Sequence, residues 1–90
     1  MKWKNYLKYK IEYDPKAIKS LQKLNKSIAL ELLHEIKAFA ITPNQAKLKK
    51  LKTPFDGAYR LRIGDYRVIL FIEKDLILVS KVAHRKQVYL

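Results

Sequence analysis

Residues 58–71, AYRLRIGDYRVILF, decide the fold because they read as two β-strands joined by a two-residue turn. The turn is Gly64-Asp65, and a glycine at the first turn position is typical of a tight type II′ hairpin. A two-residue turn sets the register of the strands that it joins, so Ile63 is predicted to face Tyr66. The other predicted elements are arranged around this hairpin.

The same register predicts a group of three arginines. Arg62 is placed opposite Arg67, and Arg60 lies two residues further along the same face. Like charges that face each other across two strands are destabilising, and the chain has only 8 acidic residues for 20 basic ones. We therefore expect these guanidinium groups to hold an anion. The alternatives are that they are solvated on an open sheet face, or that the register differs by one residue.

The excess of positive charge indicates the kind of partner. A folded domain of 90 residues with a net charge of +12 attracts polyanions, which are nucleic acid, an anionic membrane surface or an acidic protein. No lysine-rich amphipathic helix with a bulky aromatic face is present, which disfavours the membrane surface. Nucleic acid is therefore the leading partner, with an acidic protein close behind.

Composition disfavours several kinds of site. There is no cysteine, and the two histidines, His34 and His84, lie far apart in the chain, so a disulfide is excluded and a zinc site has almost nothing to build on. No apolar run reaches the roughly 18 residues of a membrane span, and the start of the chain lacks the features of a signal peptide. We expect one cytoplasmic domain over residues 1–90, with residues 1–7 as an N-terminal extension and with neither metal nor cofactor.

The first half of the chain predicts a strand and two helices. Apolar and charged residues alternate over 9–13, which is typical of a half-buried strand. Asp14-Pro15 then supplies a helix N-cap and a proline at the first helical position. A second helix is predicted over 27–40 and ends at Thr42-Pro43-Asn44. The apolar stripes predicted to be core are Ala17, Ile18, Leu21 and Leu24 in the first helix, and Ile28, Leu32, Leu33, Ile36 and Phe39 in the second.

The second half predicts strands. Residues 66–73 are almost continuously apolar, so this strand is expected to be central and covered on both faces. The turn Lys74-Asp75 leads into a last strand over 76–83. The predicted fold is α+β, in the order β-α-α-β-β-β, with a helical hairpin on one face of an antiparallel or mixed sheet. The arginines are expected on the other, partly open face.

Residues 45–52, QAKLKKLK, contain four lysines, Lys47, Lys49, Lys50 and Lys52. One interpretation is a short strand or helical turn with solvated lysines. The other is an RNA-binding surface that draws a phosphate backbone toward the hairpin arginines. The two interpretations are compatible.

The C-terminal residues carry three further candidates. His84 is the chain's best group for proton transfer near neutral pH. Arg85 adds a donor for phosphate, and Tyr89 offers a ring that stacks on a base. The alternative is a frayed basic terminus. No carboxylate pair, Gly-rich phosphate loop or nucleophile motif is present, so a nuclease of this kind is expected to be metal-free and to use the RNA 2′-OH as its nucleophile.

The pattern YRLRIGDYRVIL at 59–70, followed by an apolar strand and HRKQVY at 84–89, resembles the RelE/ParE superfamily of bacterial and archaeal toxins. The resemblance extends over 9–90 and implies a type II toxin–antitoxin system. Its RelE branch cleaves mRNA in the ribosomal A site without metal, leaving a 2′,3′-cyclic phosphate and a 5′-OH. Its ParE branch inhibits DNA gyrase.

The resemblance also implies roles for individual residues. Arg60 and Arg62 match the pair of basic residues on the second strand of the family, where arginine is an unusual general base. Arg67 matches the arginine that binds phosphate, Arg85 the one that assists the leaving group, and Tyr89 the tyrosine that stacks on the substrate. An acid–base role for His84 is a suggestion from its chemistry.

We expect an mRNA endonuclease whose partners are mRNA in the ribosomal A site, with 16S rRNA nearby, and a cognate antitoxin that docks an acidic amphipathic segment. The basic hairpin and Tyr89 favour this branch. The rival interpretations are a ParE-type gyrase inhibitor without catalytic activity and an inactive basic binding module of the same fold.

Overall fold

The first helix begins at the predicted Asp14-Pro15 signal, and the second ends where Thr42-Pro43-Asn44 was predicted to end it. In the computed structural model, which describes residues 9–88, the Asp14 side chain accepts the N–H of Lys16 at 2.8 Å and caps α1, Pro15–Lys23. The Asn25 side chain caps α2, Lys26–Ile41, in the same way. Each cap satisfies an N–H that the first helical turn leaves unpaired. The expected N-terminal extension over 1–7, and Tyr89, lie outside the described residues.

Within residues 9–88, five strands form one mixed sheet. They are β1 (Lys10–Tyr13), β2 (Leu48–Lys50), β3 (Ala58–Ile63), β4 (Tyr66–Glu73) and β5 (Leu76–His84). Their order across the sheet is β1-β5-β4-β3-β2, in which β1 runs parallel to β5 and the other neighbours are antiparallel. The predicted order β-α-α-β-β-β is confirmed. The lysine-rich segment adds a 3₁₀ turn, Gln45–Lys47, and the three-residue edge strand β2.

The helices cover one face of the sheet and form the main core there. Its buried members are Ala17, Leu21, Leu32, Ile36, Phe39 and Ala40 from the helices, and Leu61, Ile63, Val68, Leu70, Ile77, Val79 and Val82 from the sheet. Ile18 was predicted to be core, and this is wrong because its side chain is 43% exposed. It lines a groove of about 400 Å³ that α1 and α2 leave open, together with Leu24 and Leu33.

The prediction that β4 is central and covered on both faces is only half right. β4 is central in the sheet, but its second face is not covered along its whole length. Phe71 is 39% exposed there, whereas Ile69 is buried by a second, smaller apolar cluster that includes Val88. The continuous apolar run of β4 therefore packs one face in the main core and only part of the other face in the small second cluster.

A β-bulge decides which residues of β5 face the helices. Ile69 pairs with Lys81 and Leu70 with Val79, so Ser80 is an extra residue without a partner in the ladder. Since side chains alternate along a strand, this extra residue leaves Val79 and Val82 both facing the core. Lys81 is thereby turned to the face opposite the helices.

Candidate nucleic-acid interface

The hairpin has the predicted register. Gly64 has φ +57°, the left-handed region in which glycine is free of the Cβ clash, as a two-residue hairpin turn requires. Ile63 pairs with Tyr66 and Arg62 with Arg67. Both pairings are confirmed.

Strand alternation brings the three arginines to one face. Arg62 and Arg67 are directly opposite each other, and Arg60 lies two residues from Arg62 on β3, so all three project from the face that the helices do not cover. Lys49 joins them because it pairs with Arg60 in the ladder between β2 and β3. We call the surface formed by Lys49, Arg60, Arg62 and Arg67 the arginine face.

The other lysines of the basic segment lie elsewhere. Lys50 pairs with Tyr59 and therefore projects from the opposite side of the edge strand. Lys47 lies 3.9 Å from Glu35 of α2, in an ion pair on the helical side. Lys52 is exposed after the end of β2. The structure thus separates four lysines that are almost contiguous in sequence.

Arg67 is the electrostatic centre of the arginine face. Its Nη1 donates to the carbonyl oxygens of Gly64 at 2.8 Å and Tyr66 at 2.9 Å. Desolvation lowers the pKa of Arg67 below its ordinary value, and repulsion from Arg60, Arg62 and Arg85 lowers it further, against a smaller opposing effect of Asp65. An anion bound here would relieve that repulsion.

Arg60 carries an unsatisfied donor. Its Nε is buried and has no hydrogen-bond partner among the described residues, although buried polar atoms are almost always hydrogen-bonded. Arg62 is exposed, and across residues 9–88 neither side chain forms an ion pair. Phosphate oxygens are suited to such donors because guanidinium groups bind them with directed hydrogen bonds.

Arg85 is brought to the tip of the hairpin. Its N–H donates to the Asp65 carbonyl at 2.7 Å, and its Nε lies 3.6 Å from Asp65 Oδ1. Both side chains are more than half exposed, so this ion pair contributes little to stability and can be exchanged for a phosphate contact. Arg85 is therefore adjacent to the arginine face and acts on the charge of Arg67.

His84 is not brought together with the arginines. It pairs with Tyr66 at the end of β5, and the two rings are in edge-to-face contact with centroids 5.5 Å apart. Since Tyr66 faces Ile63 on the helix side, His84 projects away from the arginine face. Its Nδ1 accepts the N–H of Lys86 at 3.2 Å.

Val88 was not singled out by the sequence. It is 2% exposed and packs with Leu51, Ala58 and Ile69 in the second apolar cluster. Ala58 and Ile69 lie on the same face of the sheet as Arg60, so the C-terminal turn folds back over the arginine face. A single valine within a basic tail was the available signal.

The described residues contain neither a membrane-spanning helix nor a cluster of metal ligands. Within 9–88, no helix is both long and apolar enough to cross a membrane. In the same part of the chain, no three His, Asp or Glu side chains are grouped in a way that suits a metal ion.

Comparison with known proteins identifies the family. The model of the ParE toxin of the type II toxin–antitoxin system parDE matches residues 11–89. The chain belongs to this family. The ParE-family toxin is also 38% identical over 42 residues to Toxin RelE3 of Methanocaldococcus jannaschii. That match spans 47% of this chain and about half, 47%, of the relative.

Solved structures of RelE proteins share the fold. A chain of the RelE–RelB complex from Pyrococcus horikoshii matches with a TM-score of 0.73 and 28% identity, covering 90% of this chain and 99% of that chain. The RelBE2 complex of Mycobacterium tuberculosis gives a TM-score of 0.79, covering 90% and 95%, and at 21% identity it shows the fold alone. The resemblance to the RelE/ParE superfamily is confirmed.

Proposed function

We propose that this ParE-family toxin is a ribosome-dependent mRNA endonuclease of the RelE type that acts in the cytoplasm. It cuts mRNA in the ribosomal A site, near 16S rRNA, without a metal ion. The observation that carries the proposal is the convergence of Arg60, Arg62 and Arg67 on one face of the sheet. In a chain with a net charge of +12, this surface is suited to the backbone of RNA.

The proposed chemistry uses the RNA's own nucleophile. The 2′-oxygen attacks the adjacent phosphorus as it loses its proton, and the bond from phosphorus to the 5′-oxygen breaks as that oxygen gains one. The products are a 2′,3′-cyclic phosphate and a 5′-OH. Arg60, Arg62 and Arg67 hold the phosphate oxygens and stabilise the negative charge of the phosphorane. Arg85 assists the leaving oxygen, and Tyr89 stacks on a base.

A proton-transfer role for His84 is tested by its pH dependence. His84 projects to the side of Tyr66, so the geometry favours a role in holding the C-terminal turn. Replacement by glutamine keeps an acceptor for the Lys86 N–H. Cleavage by His84→Gln with an unchanged pH profile assigns His84 to the turn, whereas loss of one limb of the profile assigns it to proton transfer.

The proposed protein partner is a cognate antitoxin with an acidic amphipathic segment. The similar structure from Mycobacterium tuberculosis was solved as a toxin–antitoxin complex, and the one from Pyrococcus horikoshii as a RelE–RelB complex. The groove between α1 and α2 exposes Ile18 and has Lys26 in its wall, so it fits a segment with apolar and acidic faces. Such a partner also offsets the positive charge of the toxin.

The decisive experiment is expression of the toxin followed by primer extension on cellular mRNA. The wild type should produce cuts at fixed positions within codons. Arg67→Ala should reduce cleavage by about a hundredfold, the loss typical of removing one donor to a transition-state oxyanion. Lys19→Ala, which removes a charge from the exposed side of α1, is the control and should cleave as the wild type does. Full cleavage by Arg67→Ala would remove this residue from the site.

The match to the ParE toxin model favours a second candidate, a gyrase inhibitor without catalytic activity. Uncut messages together with accumulated gyrase–DNA cleavage complexes would select it. Growth without either lesion would select the remaining alternative, an inactive basic binding module of this fold. One expression experiment with both readouts therefore separates all three.

A further inference from the structure

The C-terminal turn, residues 85–88, is held against the sheet at two places. At its start, the Arg85 N–H donates to the Asp65 carbonyl at 2.7 Å. At its end, Val88 is buried against Leu51, Ala58 and Ile69. Within the turn, the Gln87 N–H donates to the His84 carbonyl at 2.8 Å.

The Val88 contact lies beside the arginines. Ile69 pairs with Arg60 across the β3–β4 ladder, and Ala58 lies two residues before Arg60 on the same strand. The turn therefore begins at the tip of the hairpin, next to Arg67, and ends at Ile69 beside Arg60. The Arg85 side chain therefore lies near the guanidinium groups of the arginine face only while the turn is packed against the sheet.

The two attachments differ in how much a side chain contributes to them. The hydrogen bond to Asp65 joins backbone atoms, and the ion pair between Arg85 and Asp65 is solvent-exposed, so its contribution is small. Val88 is apolar and 2% exposed, and its burial is lost whenever the turn opens. The side chain of Val88 is thus the principal attachment.

We propose that Val88 is a positioning residue that keeps the C-terminal turn closed over the arginine face and so places the Arg85 guanidinium beside Arg67. The effect of Val88 on RNA binding rests on the proposed function, whereas its effect on the turn does not. With the turn closed, Arg85 is one of the charges that lower the pKa of Arg67. Opening the turn removes one of the guanidinium groups from the site.

The first test measures the turn itself by hydrogen exchange of the free toxin. Val88→Ala removes two buried methyl groups, so the amides of Arg85 and Gln87 should exchange about tenfold faster. Val82→Ala is the matched control, because Val82 loses the same two methyl groups but is buried in the main core, on the strand that precedes the turn. It should leave exchange at these two amides unchanged, and Val88→Ile should retain the protection. Unchanged exchange in Val88→Ala, or equal acceleration in Val82→Ala, would overturn the proposal.

The second test asks whether Val88 acts through Arg85. The probe is a labelled single-stranded RNA with 2′-O-methyl riboses, which lacks the nucleophile. Val88→Ala should weaken its binding about fivefold at about 0.1 M salt, the loss expected for one phosphate contact. In an Arg85→Ala background, the same change should cause no further loss. Equal losses in both backgrounds would show that Val88 does not act through Arg85.

The two tests also separate this inference from the proposed function. If the wild type itself fails to bind the RNA and fails to cut mRNA, the proposed function is refuted. The exchange rates of Arg85 and Gln87 still decide whether Val88 holds the turn. Faster exchange of these amides in Val88→Ala than in the wild type would then support the positioning role. Equal exchange in the two proteins would reject it.

Discussion

Two neighbouring lysines provide the sharpest test of the arginine face. Lys49 pairs with Arg60, whereas Lys50 pairs with Tyr59, so the two side chains project from opposite sides of β2. Both are exposed, and replacing either with alanine removes one unit from the same net charge of +12. We predict that Lys49→Ala weakens RNA binding and that Lys50→Ala does not.

The size of the effect follows from counterion release. Each neutralised phosphate of a single strand contributes about 0.7 to the slope of log K against log salt. Loss of the Lys49 contact should therefore weaken binding about fivefold at about 0.1 M salt and reduce the slope by about 0.7. The side chain of Lys50 projects from the opposite side of the strand, and exposed charges are largely screened beyond the Debye length of about 10 Å at this salt. Loss of the Lys50 charge should change the affinity less than about twofold.

Fluorescence anisotropy with the 2′-O-methyl RNA, titrated at several KCl concentrations, measures both the affinity and the slope. A thermal melt of each variant checks that neither substitution unfolds the protein. Equal losses for the two variants would mean that RNA is attracted by the overall charge and not by one face. A larger loss for Lys50→Ala would place the RNA on the opposite side of the sheet and refute the site.

Three further predictions concern stability. Arg62→Gln should raise the free energy of unfolding by about 0.5 kcal/mol at low salt, because it removes a like charge directly opposite Arg67; the gain should shrink near 1 M salt, as urea titration can show. Burial raises the pKa of Tyr13 above its ordinary 10.0, so the folded state keeps its phenol neutral longer than the unfolded state does. The stabilisation that comes from the neutral phenol is complete below pH 10 and is lost as the pH rises through the folded pKa. Above pH 10, Tyr13→Phe should therefore lose less stability than the wild type when unfolding is followed by circular dichroism. Lys74 has φ +55°, so Lys74→Gly should stabilise the fold by about 0.5 to 1 kcal/mol in the same assay, and no gain would show that the turn is unstrained.

The hairpin, the start of α1 and the end of α2 were predictable because their determinants are local. A glycine that adopts a positive φ and a two-residue loop set the register of Arg62 and Arg67 without reference to the rest of the chain. The Asp14 cap acts on the N–H of Lys16, two residues along the chain. Sequence reasoning is reliable where the interacting groups are this close in the chain.

The features that the sequence missed depend on distant contacts. The site that buries Val88 is built from Leu51, Ala58 and Ile69, which come together only when β3 and β4 pair. The side on which His84 projects depends on β5 continuing as far as His84. Ile18 follows the periodicity of its helix, but the two helices do not close over it.

The bulge at Ser80 lies between these two groups, because it depends on strand pairing but leaves a trace in the local sequence. Without the extra residue, simple alternation after Val79 would put Lys81 in the core and Val82 on the arginine face. The spacing of the valines, three residues instead of two, was a signal for this irregularity. Ala83 then lies opposite Arg67, and its small side chain leaves room for the guanidinium group.

The distribution of charge across the sheet argues that the arginine face exists for a ligand. Two like-charged pairs, Lys49 with Arg60 and Arg62 with Arg67, lie directly opposite each other on adjacent ladders, and each destabilises the free protein. An acidic residue in place of one member of each pair would make the same sheet more stable. An anion that binds only the folded state offsets the repulsion through its binding free energy. Retaining four cations in this arrangement is therefore expected of a surface that is complete only when a polyanion lies on it.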